Sequence, residues 1–120
     1  DSIHPNARPA AIAFECAKVQ GKPWEFHDAL FANQNSLSNA LYSRLASSLG
    51  LDLTAFNSCS GNSAAANAVV ESDLQQGIAN GITGTPGFLI TDAQGNVVTL
   101  ISGAQPYSAF KRAFDALPAK

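Results

Sequence analysis

The sequence is poor in charge. Only 13% of its 120 residues are Asp, Glu, Lys or Arg, and the formal net charge is −2. No basic field exists to hold a phosphate backbone or an anionic lipid surface, which excludes nucleic acid as a principal partner. Long apolar runs are missing as well. The apolar stretches are short and broken by polar residues, far below the roughly 20 residues that cross a bilayer, so no membrane span is expected in this chain. Methionine is absent, and the opening Asp1-Ser2-Ile3-His4-Pro5 lacks the charged-then-apolar layout of a signal peptide. A processed or truncated start is expected. Cysteine is scarce: Cys16 and Cys59 are the only two. Their number is compatible with one disulfide in an oxidising compartment or with two buried thiols in a reducing one.

What is present suffices for one core, with 46% of residues hydrophobic. Pro9 in a first turn, followed by Ile12, Cys16 and Val19, predicts a helix over 8–20 that Gly21 stops. A second helix is expected from Pro23 to about Asn33. Phe26 and Leu30 form one stripe and Trp24, His27 and Phe31 its neighbour, which predicts burial over a wide arc. Ser36 or Ser38 can cap a third helix, whose Leu37, Leu41, Leu45 and Leu49 recur every four residues before Gly50. Asp52 can cap a fourth through Phe56 and Cys59. Gly61-Asn62-Ser63 then separates it from a long helix carrying Ala66, Val70, Leu74 and Ile78, ended by Gly81.

The pattern changes after Gly81. Phe88 to Thr91 and Val97 to Ile101 are β-rich runs around Asp92-Ala93-Gln94-Gly95-Asn96, which predicts a hairpin. Pro106 opens a last helix with Tyr107, Phe110, Phe114 and Leu117, ending near Pro118. A lone two-stranded ribbon is marginal in water and leaves two edges unpaired. Strands from upstream of Asp1 or from a partner chain are therefore expected beside it. The sequence shows no internal repeat or interdomain linker.

Several residues invite a chemical reading and support only a structural one. His4, Cys16, His27 and Cys59 have the right types for a metal set, but their spacings match no zinc pattern, and no metal is expected. His27 fits a partly buried helix position and His4 a turn before Pro5. Ser36, Ser38, Ser47, Ser48 and Ser63 lack a Gly-x-Ser-x-Gly setting and a base, and read as caps and solvent-facing positions. Trp24, Phe26 and Phe31 read as core.

Five strings, in order, carry a resemblance: His4-Pro5-Asn6-Ala7 before an Ala-rich helix with Cys16; Trp24-Glu25-Phe26-His27-Asp28 with Leu30-Phe31; Gly50-Leu51-Asp52 before Phe56 and Cys59; Gly81-Ile82-Thr83-Gly84-Thr85-Pro86-Gly87-Phe88; and Ser102-Gly103-Ala104-Gln105-Pro106-Tyr107. Together they span nearly the whole chain, which resembles the DsbA-like thioredoxin-fold disulfide oxidoreductases. The resemblance implies an α/β fold: a thioredoxin-like fold with an inserted helical domain, here residues 1–80, and a C-terminal ββα part, here 81–120. The N-terminal βαβ part is expected to be missing from this chain. With it goes the family's redox Cys-x-x-Cys pair, to which Cys16 and Cys59 do not correspond.

For function the resemblance implies a thiol-disulfide oxidoreductase that forms or exchanges disulfides in exported proteins. No residue of this chain is expected to be catalytic, and no cofactor is needed, since the cysteine pair is itself the redox centre. Gly84, Thr85 and Pro86 are the implied substrate-binding residues, with cysteine-containing proteins or peptides as partners. The Thr85–Pro86 bond is implied to be cis, against the ordinary expectation for X–Pro bonds, of which only about 5–6% are cis in folded proteins. Cys16 and Cys59 are implied to form a structural disulfide, and the location to be extracytoplasmic: periplasmic, or secreted or at the cell surface of a bacterium. A noncatalytic helical peptide-binding module is the competing expectation, and the residues preceding Asp1 in the native gene product discriminate the two.

Overall fold

The structure, a computed structural model, describes residues 3–117. Pro118, expected near the end of the last helix, lies outside them. The chain forms two compact units, Asp1–Ser72 and Asp73–Lys120. They divide inside a helix.

The first unit is helical. Helices α1 (Ala7–Val19), α2 (Pro23–Ala32), α3 (Asn39–Ser48) and α4 (Leu53–Asn62) lead into α5 (Ala64–Ala79), with a single 3₁₀ turn over Gln34–Ser36. Ala13, Cys16 and Ala17 of α1, Phe26, Tyr42, Ala46, Leu51, Phe56 and Ala66 are buried together. The alanines let the helices approach closely around two large side chains, Phe26 and Phe56, whose rings lie 5.5 Å apart. Each of these fully buried rings contributes about 2–3 kcal/mol by removal from water.

Helix boundaries follow local chemistry. The Ser38 hydroxyl accepts the Leu41 N–H, the Asp52 carboxylate the Ala55 N–H, and the Ser63 hydroxyl the Ala66 N–H. Each satisfies a donor that the first turn leaves unpaired. At the end of α3, Gly50 takes φ +72°, which a side chain would resist. Its N–H donates to the Ser47 carbonyl and the Leu51 N–H to the Ala46 carbonyl, both at 3.0 Å. This is the Schellman arrangement, and it turns Leu51 inward to the core.

Two sequence expectations need correction here, and one alternative, the cap of α3, is decided. Trp24 is 70% and Phe31 62% exposed, so α2 buries a narrow stripe around Phe26 and not a wide arc. At about 100° per residue, both lie roughly 140–160° around the helix from Phe26. Gly61 and Asn62 belong to α4, because the Ser63 N–H still reaches the Cys59 carbonyl at 3.0 Å. Ser63 alone separates α4 from α5. Ser36 lies in the 3₁₀ turn, leaving Ser38 as the cap of α3.

The second unit holds an antiparallel hairpin, β1 (Gly87–Thr91) and β2 (Val97–Ser102), followed by α6 (Tyr107–Asp115). Phe88 pairs with Ile101 and Ile90 with Thr99, which sets Phe88, Ile90 and Ile101 on one face. Phe110 of α6 meets Phe88 edge to face at 5.0 Å, and Ile90 and Ile101 are buried. Among the described residues the sheet has these two strands and no more, so each presents one unpaired edge.

Candidate functional site

The segment between α5 and β1 is built by the end of the helix. Gly81, at φ +80°, donates its N–H to the Ile78 carbonyl at 3.0 Å, and the Ile82 N–H donates to the Gly77 carbonyl at 2.9 Å. This second Schellman closure stops α5 and fixes where Ile82 leaves it. Gly84, Thr85 and Pro86 follow, all exposed, and the Thr85–Pro86 bond is cis. The strand ladder begins at the next residue, Gly87, opposite Ser102.

The far side of the loop is pinned from β2. The Gly103 N–H donates to the Pro86 carbonyl at 2.8 Å, and the Gln105 side chain donates to the Ser102 carbonyl at 2.9 Å. Among the described residues, neither the N–H nor the C=O of Thr85 pairs with another backbone group. A depression of about 190 Å³ adjoins them, lined also by Ile82, Thr83, Leu100, Ser102 and Gly103. The three residues that the sequence singles out thus stand at the mouth of an unpaired strand edge. The surroundings are nearly neutral, and the contacts on offer are backbone hydrogen bonds and the apolar side chains of Ile82 and Leu100.

The cysteines are elsewhere, in the helical unit. Cys16 and Cys59 form a disulfide between α1 and α4, with Cα atoms 5.8 Å apart. Cys16 is 1% exposed and no cysteine is free, so neither sulfur offers a thiolate. Nor do the two histidines join them. The His27 ring lies between Trp24, at 5.6 Å, and Phe31, at 4.7 Å, with Nδ1 3.0 Å from the Asp28 carboxylate. Among the described residues no group of three or more His, Cys, Asp or Glu side chains could hold a metal ion.

One feature escaped sequence reasoning. A hollow of about 330 Å³ opens between α1 and α2, lined by Ala10, Phe14, His27, Leu30, Phe31 and Leu37. The signal for it was Phe31, outside the Phe26 stripe, which the apolar pattern alone assigns to a core.

Residues 4–115 match the sequence model of the DSBA-like thioredoxin domain. The chain is also similar to part of the Na(+)/H(+) antiporter NhaA 3 of Salinispora tropica, 36% identical over 88 residues that cover 73% of this chain and 13% of that protein. It is likewise 36% identical over 87 residues to the Na(+)/H(+) antiporter NhaA of Herminiimonas arsenicoxydans, covering 72% of this chain and 14% of that protein. The chain therefore spans only a small part of the curated relatives it matches. No solved structure matches it.

Proposed function

Since the chain belongs to the DSBA-like thioredoxin domain family, we propose that it supplies the substrate-docking side of a thiol-disulfide oxidoreductase acting on exported, cysteine-containing proteins. The observation that carries this is the unpaired Thr85 backbone at the head of an open strand edge. An extended peptide adds to such an edge through main-chain hydrogen bonds, which are indifferent to most side chains and so suit an enzyme with many substrates. Gly84, Thr85 and Pro86 would hold the peptide and perform no chemistry.

The redox step needs a cysteine pair from outside this sequence, at the start of a helix whose flanking strands would also cover the hairpin edge. One thiolate attacks a sulfur of the substrate disulfide, and the other substrate sulfur leaves as a thiolate. The second cysteine of the pair then displaces the first substrate sulfur, so the substrate gains two electrons and the pair becomes a disulfide; oxidation runs the same steps backwards. The Cys16–Cys59 disulfide supports an extracytoplasmic setting, where such bonds persist. The antiport named for the relatives is not carried over, because the chain spans so little of them.

A second reading, a noncatalytic peptide-binding module, is favoured by the absence of any free cysteine. The two separate in an insulin-reduction assay with dithiothreitol. The natural full-length gene product should accelerate the reaction, while this chain alone should leave it at its uncatalysed rate. A full-length protein that binds reduced peptides without accelerating reduction would overturn the enzymatic reading in favour of the module.

A further inference from the structure

Gly87 is where the docking loop becomes strand β1, and its missing side chain is space that a neighbour already occupies. A Cβ placed there would lie 2.9 Å from the Cγ2 methyl of Ile82 and 3.3 Å from the Gly84 carbonyl oxygen. The first distance is well inside the separation at which carbon atoms attract. At every other described glycine the same atom would meet nothing nearer than 3.9 Å.

Neither neighbour yields easily. Ile82 is held at its backbone by the bond from its N–H to the Gly77 carbonyl at 2.9 Å. As a β-branched residue it also has few χ1 choices. On the other side, the Gly103 N–H clamps the Pro86 carbonyl. A side chain at position 87 is therefore relieved through the remaining loose part of the loop, the Gly84–Thr85 backbone. That is the backbone assigned to the peptide.

We propose that Gly87 is a positioning residue of the docking loop: its empty side-chain site lets Ile82 pack beneath the loop and hold the Gly84–Thr85 backbone at the height where a peptide strand can pair with it. The inference rests on the peptide-docking reading above, and it predicts a specific coupling between positions 82 and 87. Leucine has no Cγ2 methyl, so Ile82→Leu should relieve what Gly87→Ala imposes.

The test uses this chain and reduced, S-alkylated insulin B chain as the probe peptide. Amide NMR of the free protein reads the loop directly, and titration reads affinity. Gly87→Ala should shift the Gly84, Thr85 and Gly103 amide signals and weaken the probe about ten-fold, the order expected for losing one backbone hydrogen bond. Ile82→Leu/Gly87→Ala should return both to near wild type. Unmoved signals in Gly87→Ala, or a double variant that fails to recover, would overturn the proposal. If Gly87→Ala does not fold, the double variant decides alone: recovery of fold and affinity supports the coupling, and failure overturns it. If the signals move and recover as expected but wild-type protein shows no probe-induced shift at Thr85, the docking reading fails. The positioning role then falls with it, leaving only a packing constraint.

Discussion

Cys16 on α1 and Cys59 on α4 are joined across 43 positions of sequence, and the closed loop contains α2 and α3. The bond fastens the first helix of the unit to the fourth beside Phe26 and Phe56, where the core is fully buried.

Removing that bond should cost stability through the unfolded state. Opening a loop of this length frees chain entropy equivalent to roughly 3–4 kcal/mol. Cys16→Ala/Cys59→Ala should therefore unfold at lower urea concentration than the oxidised protein when helix content is followed by circular dichroism. Wild-type protein in excess reductant should behave similarly. Equal midpoints in oxidised and reduced samples would show that the bond contributes nothing.

The helices of this chain were legible because their ends carry explicit signals. Ser38, Asp52, Gly21, Gly50 and Gly81 bound them within a residue or two, and Ile90 and Ile101 give the hairpin its buried face. Burial was less legible than secondary structure. Spacing says that Trp24, Phe26 and Phe31 lie on a helix, but which of them faces a neighbour depends on where α1, α3 and α4 pack, and those contacts are nonlocal. For the same reason composition marks Gly61 and Asn62 as breakers, although the last turn of α4 closes over them. The proposed docking loop was suggested only through family resemblance. Nothing in the local string Gly84-Thr85-Pro86 announces an unpaired backbone; that follows from Gly103 taking the Pro86 carbonyl and leaving Thr85 alone.

Asp92 should govern the hairpin turn through its charge. Its Oδ1 accepts the N–H groups of Gln94 and Asn96, and Oδ2 accepts from the Asn96 side chain, all at 2.9 Å. The Asn96 side chain first, and then the turn's backbone N–H groups, hold this carboxyl below the ordinary aspartate value of 3.8. A depressed carboxyl stabilises the folded turn at all pH above its unfolded value, and that contribution disappears as pH falls through the folded one. The Gln94 and Asn96 amide signals should thus titrate below pH 3.8, and Asp92→Ala should speed amide exchange in the turn at neutral pH. Because the group is fully exposed, overall stability should change little. Titration of those amides at or above the ordinary value would remove the basis for this.

Thr85 should matter for its main chain and not for its side chain. Among the described residues its N–H and C=O lack backbone partners and its hydroxyl makes no hydrogen bond, and it precedes the open strand edge. A peptide added by strand pairing would use that N–H and C=O, each bond being worth about 0.5–1.5 kcal/mol net. Thr85→Ala keeps both groups and should bind reduced, alkylated insulin B chain within about two-fold of wild type, while Thr85→Pro deletes the donor and should weaken it by roughly ten-fold. The Gly103 amide signal controls for loop integrity, since it reports the bond to the Pro86 carbonyl on the opposite side. If that signal is preserved in both variants and Thr85→Pro binds as well as Thr85→Ala, the peptide does not pair with this backbone. Weak binding by Thr85→Ala with Thr85→Pro unaffected would instead place the contact on the side chain, which strand addition does not require.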